Sequence, residues 1–468
     1  MKEFSIAALA RIIKAKPTKK ISGFFTGVNT DSRTTQIGDC FFAIPGDNFD
    51  GHDYVSDAFA GGAACAVVTK VIKDTKFTGA TLLKVNDTIR ALGDFAGEYR
   101  RRMGANVVAI TGSVGKTTAR QIAYHVLSRH YRVFQSPKNF NNNIGLPLTL
   151  LGADPDDQIV IAELGSNHPG EIAYLTRIAQ PNIAVVTNVY SAHLAGFGDL
   201  QTIIQEKLSI SEGLQPGGIL IINADLVKWL NGNQLNHQSQ VTNHQIITFG
   251  KSDGCDYQAR NILFDGFSSR FTINGTEIYL PLAGPGNVEN ALVAWAICSQ
   301  FGLTIDDFAR SVEGLLPVSM RAELMQIGTL TVLNDCYNAN PASMKNALDI
   351  LAKLGSKENR RFVFICGDMA ELGQQAQALH AQLGASVAQA GVHLLLAVGK
   401  FAKITADAAR RTTEYNLQTK CFKDTLSACN NLEKFVKDYD IILVKGSRVA
   451  GLEMTVEKLK ELFSLSEI

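Results

Sequence analysis

The sequence predicts an α/β protein of three domains, and three observations support this fold class. Short, continuous apolar runs alternate with amphipathic helical stretches, a pattern typical of parallel sheets covered by helices. The spacing of these runs changes near residue 105 and again near residue 316. A chain of 468 residues is also long enough for roughly two to four domains. We therefore predict domains at residues 1–104, 105–315 and 316–468.

The bulk composition gives no reason to expect a nucleic-acid partner or a membrane span. The formal net charge is +1 and charged residues make up 19% of the chain, so no basic excess favours polyanion binding. The sequence contains no apolar stretch of about 18 residues and no pattern of a cleaved signal. Its eight cysteines form no CxxC pair, which indicates reduced thiols. We expect a cytoplasmic monomer with no stable membrane insertion.

The first domain is predicted to hold short strands and one long helix. Its strand candidates are CFFAIPG, CAVVTK and TLLKVN, separated by Gly, Asp and Asn. The helical stretch covers residues 88–102 and ends in Arg100, Arg101 and Arg102. Basic side chains are favourable at a helix C-terminus. We interpret these arginines as a solvated helix end rather than a phosphate-binding patch.

The second domain is predicted to contain a parallel sheet. Its strand candidates NVVAIT, QIVIAELG, NIAVVTNV and GGILIINAD are apolar throughout, as expected for strands buried on both faces. The helix after the first strand, from Lys116 to about His130, has one apolar face. That face contains Ile122, Val126 and Leu127. The tract at residues 231–245 is too polar to bury, and we predict a surface excursion there.

The third domain repeats the α/β pattern and is predicted to be Rossmann-like. Its strand candidates are TLTVLND, RFVFICGD, HLLLAVG and DIILVKGS. Each has a Gly or Asp at its end, where the loops of such sheets usually carry function.

The run VVAITGSVGKTT, residues 107–118, predicts a phosphate-binding loop. Glycines let backbone N–H groups converge on phosphate oxygens at a helix N-terminus. The lysine would neutralise phosphate charge, and the following threonine hydroxyl would ligate Mg²⁺. The predicted nucleotide-binding residues are Gly112, Ser113, Val114, Gly115, Lys116, Thr117 and Thr118.

This loop has the short form G-x-x-G-K-T, because Ile110 stands where the longer pattern requires glycine. A chance glycine turn is the alternative interpretation. The order of strand, loop and helix favours nucleotide binding.

Three further side chains are candidates for metal binding. Glu163 lies at the predicted carboxyl end of a strand, where a carboxylate can reach a nucleotide-bound metal. His193 follows the next strand, although a lone histidine is more often structural. Lys207 is by default a solvated cation that cannot ligate Mg²⁺. Reaction with CO₂ would convert its amine into a carbamate, an anionic ligand.

The phosphate loop, KNFNNNIGLPLTL (138–150), ELGSNHPGEIAYLTRIAQPNIAVVTNV (163–189), AHLAGFGD (192–199) and Lys207 resemble the Mur ligases in order and spacing. The resemblance spans essentially the whole chain. It implies an ATP- and Mg²⁺-dependent enzyme that forms amide bonds in bacterial cell-wall assembly. Folylpolyglutamate synthases share this loop and fold.

Three other stretches, DCYNANPASM, GDMAELGQQAQALH and VKGSR, are similar to the family member that adds D-Ala-D-Ala to UDP-MurNAc-tripeptide. The segment NTDSRTTQIGDCFFAIPGDNFDGHDYV (29–55) resembles the uridine-diphosphate-binding segment that this member shares with the diaminopimelate- or lysine-adding member of the family. The resemblance implies that ATP activates the tripeptide carboxylate as an acyl phosphate, which the dipeptide amine then attacks. Ser32 and Arg33 would contact the uracil or diphosphate.

The resemblance also implies roles for residues that composition alone would leave as surface groups. Arg321 would reach an ATP phosphate and Asp335 the ribose, while His193 and carbamylated Lys207 would hold a second Mg²⁺. The expected muramoyl-peptide or second-metal residues are Asn139, Asn142 and Asn143. The expected adenine-side residues are Asn287 and Asn290.

Two motifs depart from the family pattern. Gly286 stands where the family usually has histidine, and Leu208-Ser209 stands where it commonly has Gly-Glu. Because the implied site residues lie on different domains, we expect domain closure about a hinge near Leu315 and Pro317.

Two other functional classes stay open at this point. A ligase of the same fold could act on another amino acid or on folate, and a folate ligase should lack the DSR and YNANP segments. A P-loop switch protein would leave Glu163, His193, Lys207 and the third domain unexplained. A G-protein should also show a guanine-reading Asn-Lys-x-Asp motif, which the sequence does not contain. An inactive scaffold is disfavoured because the chemically needed groups are present.

Overall fold

The computed structural model confirms the predicted α/β class. It describes residues 3–17, 21–46, 48–70, 72, 81–192, 194–230, 244–355, 360–413 and 415–464.

The N-terminal part contains a five-stranded sheet. The described strands of this part, including two that form a separate pair, are β1 (Phe4–Ser5), β2 (Lys16–Pro17), β3 (Phe24–Phe25), β4 (Gly27–Asn29), β5 (Asp39–Phe42), β6 (Cys65–Val68) and β7 (Thr81–Lys84). Its helices are α1 (Ile6–Ile12), α2 (Val55–Ala60) and α3 (Thr88–Arg102). The sheet order is β2-β7-β6-β5-β4, with β4 to β7 parallel and β2 antiparallel, and β1 pairs separately with β3.

Helix α3 has the predicted bounds, but the interpretation of its last turn as a solvated end is wrong for Arg100. This side chain is buried and donates to the carbonyl oxygens of Ala179 at 2.9 Å and Gln180 at 3.0 Å and to Asn182 Oδ1 at 2.8 Å. The apolar periodicity of α3 could not predict that residues of the central domain cover the C-terminal end of this helix. Arg101 and Arg102 do remain exposed, paired with Glu98.

The central part is built on a seven-stranded sheet in which every pairing is parallel. Its strands are β8 (Asn106–Thr111), β9 (Val133–Gln135), β10 (Ile159–Glu163), β11 (Ile183–Val186), β12 (Ile219–Asn223), β13 (Gln245–Gly250) and β14 (Tyr257–Gln258). The order β14-β13-β12-β11-β8-β10-β9 places β8 between β11 and β10. The carboxyl ends of these three strands therefore meet at one edge.

Eight helices and a small antiparallel sheet accompany this sheet in the described residues. The helices are α4 (Lys116–Leu127), α5 (Gly145–Gly152), α6 (Glu171–Ala179), α7 (Leu194–Phe197), α8 (Leu200–Leu208), α9 (Val227–Leu230), α10 (Pro285–Cys298) and α11 (Ile305–Val312). The small sheet, which the sequence patterns did not predict, has strands β15 (Arg260–Phe264), β16 (Ser269–Ile273) and β17 (Thr276–Leu280). Most of the polar tract at residues 231–245 lies outside the described residues.

The core of the central part lies on both faces of the sheet, and α4 packs against one of them. Ile122, Val126 and Leu127 are fully buried, as their spacing predicts. Complete burial of each such side chain contributes about 1.5–3 kcal/mol relative to exposure. Burial of this face fixes the start of α4 against the end of β8.

The C-terminal part holds a six-stranded sheet. Its strands are β18 (Glu323–Ile327), β19 (Leu330–Asn334), β20 (Phe362–Gly367), β21 (Leu394–Val398), β22 (Gln418–Phe422) and β23 (Ile441–Lys445). Its helices are α12 (Pro341–Gly355), α13 (Ala376–Gln389), α14 (Ala402–Thr412), α15 (Thr425–Cys429), α16 (Leu432–Phe435) and α17 (Glu453–Phe463). The order is β18-β19-β23-β20-β21-β22, parallel except for the β18–β19 pair.

Among the described residues, no helix combines the length and the apolar character that crossing a membrane requires. All eight cysteines have free thiols, and most are buried.

Candidate nucleotide and ligation site

The phosphate loop connects β8 to α4, and two glycines make its turn possible. Gly112 has φ +145° and Gly115 has φ +86°, values that side chains with a Cβ rarely adopt. A Cβ at Gly112 would overlap the Thr187 hydroxyl, and one at Gly115 would overlap Asn290 Oδ1. Both glycines are therefore required by backbone conformation and by close packing.

The loop is held in place by the segment that follows β11. Asn188 accepts from the backbone N–H of Ser113 at 3.0 Å through its carbonyl oxygen, and from that of Val114 at 2.9 Å through Oδ1. Thr187 donates its hydroxyl to the Val114 carbonyl oxygen at 2.7 Å. The N–H groups of the first turn of α4 have no partner within the helix, so they provide the anion-binding end.

Lys116 lies at the start of α4 with its ammonium folded over the loop. Its Nζ donates to the Gly112 carbonyl oxygen at 2.6 Å. Burial lowers the pKa of Lys116, nearby Glu163 raises it, and Arg321 lowers it again. A bound triphosphate would supply the negative charge that this arrangement of cations lacks.

Glu163 ends β10 beside the loop and is buried. Its Oε2 accepts from the Thr117 hydroxyl at 2.9 Å, and its Oε1 accepts from Asn141 Nδ2 at 3.0 Å. The guanidinium of Arg120, one turn along α4 and also buried, lies 3.7 Å from the carboxylate. The Glu163 carboxylate and the Thr117 hydroxyl oxygen are therefore adjacent, and both are oxygen ligands of the kind that Mg²⁺ prefers.

The oxygen donors fit a cation that completes its coordination with other ligands. In the part of the chain that the structure describes, no three His, Cys, Asp or Glu side chains are close enough to hold a metal. Mg²⁺ is usually held by one or two protein oxygens together with phosphate and water. Thr117 and Glu163 match that requirement.

Lys207 lies in the last turn of α8 and is buried, with 2% of its surface exposed. It is therefore not the solvated lysine of its default interpretation. Its Nζ donates to the Ser166 hydroxyl at 2.7 Å and lies 5.6 Å from the centre of the Phe197 ring. Burial is the main cause that lowers the pKa of Lys207 to about 7, and the charge of Lys116 acts in the same direction.

Two carboxylates near Lys207 are engaged elsewhere. Glu206 accepts from the backbone N–H groups of Gly170 at 2.7 Å and Ile172 at 2.8 Å, at the start of α6. Glu171 accepts from the N–H of Asn167 at 2.7 Å. Their charge raises the pKa of Lys207 less than burial lowers it. A large fraction of this amine is therefore neutral at physiological pH.

The third domain contributes two of the predicted residues. The Arg321 guanidinium stacks 4.0 Å from the centre of the Tyr337 ring. Asp335, just after β19, accepts from the buried Lys445 Nζ at 2.6 Å and from the Ala322 N–H at 3.0 Å. Both residues face the phosphate loop across a cavity of about 900 Å³ between the central and third domains.

Most of the sequence-predicted residues line this cavity. They are Ser113, Val114, Gly115, Lys116, Thr117, Thr118, Asn142, Asn143, Glu163, Asn287, Asn290, Arg321 and Asp335. Gly112 belongs to the loop but not to the cavity lining, and its carbonyl oxygen accepts from Lys116 Nζ. Lys207 contacts the cavity wall through Ser166. His193 lies outside the described residues.

Three predicted substrate residues do not line the cavity. Asn139 is exposed beside it. Ser32 and Arg33 lie on the N-terminal domain in a short 3-10 helix, where Arg33 donates to the Asp31 carboxylate at 2.9 and 2.6 Å. Arg33 is 86% exposed, so the pair contributes little to stability.

Several residues at the site were missed by the sequence patterns. Arg120 and Asn141 brace Glu163, Ser166 holds Lys207, and Lys445 pairs with Asp335. Asn141 adjoins the predicted asparagines and could have been found from the asparagine-rich stretch. Lys445 lies in the VKGSR stretch that carries part of the resemblance but was given no role there. Arg120 had no such signal, because a buried cation cannot be distinguished from a surface one by sequence spacing.

A phosphate loop on an all-parallel sheet, facing an arginine and an aspartate of a further α/β domain, defines a three-domain nucleotide-binding protein. The chain belongs to the Mur ligase family. Three family models match successive segments: the Mur ligase family catalytic domain at residues 24–100, the Mur ligase middle domain at 110–298 and the Mur ligase glutamate ligase domain at 320–448.

Named relatives cover nearly the whole chain. The UDP-N-acetylmuramoyl-tripeptide--D-alanyl-D-alanine ligase of Escherichia coli (strain K12) is 35% identical over 442 residues, 93% of each chain. The Bacillus subtilis (strain 168) enzyme of the same name is 34% identical over 440 residues, also 93% of each chain.

Solved structures agree with this assignment. MurF from Acinetobacter baumannii superimposes with a TM-score of 0.87 at 29% identity, covering 98% of this chain and 99% of that one. MurF from Thermotoga maritima in complex with ADP has a TM-score of 0.79 at 24% identity, covering 93% and 97%. This second likeness shows the shared fold.

Proposed function

We propose that this chain is the ligase that joins D-Ala-D-Ala to UDP-MurNAc-tripeptide at the expense of ATP, giving UDP-MurNAc-pentapeptide, ADP and phosphate. The observation that carries the proposal is the single cavity that unites Lys116, Glu163, Arg321 and Asp335 from two domains. The names of relatives that are 30–35% identical over most of the chain support the choice of substrates.

A carboxylate and an amine do not condense in water without activation. The tripeptide carboxylate attacks the γ-phosphorus of ATP and ADP leaves; the dipeptide amine then attacks the acyl carbon and phosphate leaves. Both transition states carry charge on phosphate oxygens, so the protein contributes mainly positioning and neutralisation. Lys116 and Arg321 are the cations available for this task, and Asp335 is placed to accept from a ribose hydroxyl.

Thr117 and Glu163 would hold Mg²⁺, which on binding neutralises and polarises the phosphates. Arg120 and Asn141 keep the Glu163 carboxylate oriented toward Thr117. Truncating either brace would leave this buried carboxylate less well defined. Residues of such a supporting shell are often needed for full metal affinity.

Lys207 carries the further proposal of a carbamate. Carbamates form from a neutral amine and CO₂, and a pKa of about 7 leaves much of the Lys207 amine neutral at physiological pH. The resulting anion would serve a second Mg²⁺ together with His193. As the free amine, Lys207 instead holds Ser166.

The precursor would extend from the cavity toward the N-terminal domain, with Ser32 and Arg33 at its uridine-diphosphate end and Asn139, Asn142 and Asn143 on its muramoyl-peptide side. The exposed loop around Arg33 is available to an anionic ligand. The domain limits near residues 104 and 315 belong to the same proposal.

An amine-dependent phosphate-release assay tests the function. With ATP, Mg²⁺ and UDP-MurNAc-tripeptide, D-Ala-D-Ala should support release, whereas D-alanine, L-lysine and L-glutamate should not. Folate with glutamate is the matched control for the related ligase class. Release with glutamate but not with D-Ala-D-Ala would overturn the proposal.

A further inference from the structure

Asn346 of α12 makes a contact between domains at the start of α10. Its Oδ1 accepts from the backbone N–H of Gly286 at 3.1 Å. That N–H is one of the first-turn donors that a helix cannot satisfy by itself. Because an N–H can only donate, the contact also fixes which end of the amide faces Gly286: the oxygen is used and the Nδ2 group is not.

The absence of a side chain at Gly286 makes this contact possible. A Cβ there would lie 2.9 Å from Asn346 Oδ1, 3.2 Å from Cγ and 3.3 Å from Nδ2. Such separations are below ordinary van der Waals contact, so any larger residue at 286 would push Asn346 aside. The third-domain amide occupies space that a central-domain side chain would otherwise fill.

The two asparagines of α10 are occupied by the protein itself. Asn287 donates to the Ala283 carbonyl oxygen at 2.8 Å and accepts from Asn290 Nδ2 at 3.3 Å. The Oδ1 of Asn290 lies against Gly115. Asn346 also lines the cavity, and its Nδ2 has no partner in the described parts of the chain. Of these three amides, Asn346 is the one whose Nδ2 group donates no hydrogen bond within the described residues.

The surroundings of this donor suit a nucleobase. On one side of the phosphate loop lie the Glu163 carboxylate and Thr117, which suit a metal. On the α10 side the loop meets the Asn290 amide, and the only charges that α10 places on this wall are those of Glu289, which is paired with Lys251 at 2.8 Å in the described residues. Gly286 lies four residues before Asn290, about 6 Å along the helix. A nucleoside leaving the phosphate loop on this side therefore passes the Asn346 amide.

We propose that Asn346 recognises the purine ring of the nucleotide, its Nδ2 donating to a ring nitrogen while its Oδ1 stays on Gly286. This inference rests on the proposed ATP-dependent function and names a further residue that binds the base at that site. Because Asn346 belongs to the third domain and Asn290 to the central domain, binding of the base links the two domains.

Calorimetric titration with a non-hydrolysable ATP analogue and, separately, with inorganic tripolyphosphate tests the role. Asn346→Ala should weaken analogue binding about fivefold, the effect of one hydrogen bond, and change tripolyphosphate binding less than twofold. Asn346→Asp keeps the acceptor for Gly286 and removes the donor, so it should weaken analogue binding at least as much. Asn430→Ala, an exposed asparagine of the same domain, is the control.

Gly286→Ala gives a second, independent test. It should weaken analogue binding to a similar extent by displacing Asn346, and Gly286→Ala combined with Asn346→Ala should be no weaker than Asn346→Ala alone. Unchanged analogue binding by both Asn346 variants, or an equal loss of tripolyphosphate binding, would overturn the inference while leaving the ligase function intact. Failure of the wild-type chain to bind the analogue would instead count against the proposed function.

Discussion

The Lys207 ammonium group donates to the Ser166 hydroxyl at 2.7 Å in a place where 2% of the lysine is exposed to solvent. The neighbouring carboxylates are committed to backbone N–H groups. Burial therefore dominates and brings the pKa of Lys207 to about 7. A side chain that costs free energy when charged, beside the phosphate loop, is a candidate for chemical modification.

Lys207→Ala should lower the rate of ligation by about a hundredfold or more, because the proposal makes the Lys207 carbamate a metal ligand. Wild-type enzyme equilibrated with ¹³CO₂ and Mg²⁺ should show a carbamate resonance in NMR that Lys207→Ala lacks. Lys434→Ala, an exposed lysine of the third domain, should keep both the resonance and the activity. Full activity of Lys207→Ala with no carbamate signal in the wild type would return Lys207 to a structural role.

The free amine of Lys207 should also destabilise the fold near neutral pH. In CO₂-free buffer, between pH about 7 and the ordinary pKa of 10.5, the unfolded chain binds a proton that the folded chain does not. The free energy of unfolding therefore rises with pH across this window, and the full penalty is present below it. Lys207→Met should raise the thermal midpoint at pH 7, and its advantage should shrink as the pH approaches 10.

Differential scanning calorimetry at pH 7 and pH 9.5 measures this difference, with Lys434→Met as the exposed control. A Lys207→Met midpoint that is equal to or below that of the wild type at pH 7 would contradict the stated cost of burial.

Lys116→Ala should eliminate phosphate release while binding of UDP-MurNAc-tripeptide changes little. The ammonium lies over the phosphate loop at 2.6 Å from the Gly112 carbonyl oxygen, whereas the exposed Arg33 lies on another domain. Calorimetric titration with the precursor and a phosphate-release assay separate the two effects. Arg33→Ala should show the reverse pattern, with weakened precursor binding. Loss of precursor binding in Lys116→Ala would show that the two sites are not independent.

Closure of the third domain should depend on the triphosphate. Arg321 lowers the pKa of Lys116, which means that these two cations repel one another across the cavity. An ATP analogue with the UDP precursor should therefore reduce the radius of gyration in small-angle scattering. Arg321→Gln removes part of the repulsion, so its unliganded form should already be more compact than the wild type. An unchanged radius at saturation would contradict closure.

Arg100→Ala should destabilise the junction between the N-terminal and central domains by about 2–4 kcal/mol. Removal of the guanidinium leaves the buried carbonyl oxygens of Ala179 and Gln180 without their donor. Arg101→Ala is the matched control, since Arg101 is exposed and pairs with Glu98 on its own helix. Urea denaturation of both variants gives the comparison, and equal midpoints would show that Arg100 is not the anchor.

The local patterns predicted well what depends on local chemistry. Strand β8 and helix α3 have the predicted bounds, and α4 begins at Lys116 as predicted. These features were predictable because the spacing of apolar residues and the conformation of glycine turns depend on about ten neighbouring residues of the chain. Strands β15 to β17 were not predicted, since half-exposed antiparallel strands carry a weaker apolar signal. The family assignment and the ligase function agree with the comparisons; the roles of individual site residues stay predictions.

The sequence by itself determined the α/β class, the phosphate loop and the chemical types of the groups at the site, because these follow from residue identity and spacing. The tertiary structure decided which charged side chains are buried away from solvent. Arg100 becomes an anchor between domains only because residues 179–182 cover it. The pKa of Lys207 falls to about 7 only because Phe197, Ser166 and the surrounding helices exclude solvent while Glu206 binds backbone N–H groups. Burial depends on contacts between distant segments, and no local pattern records them.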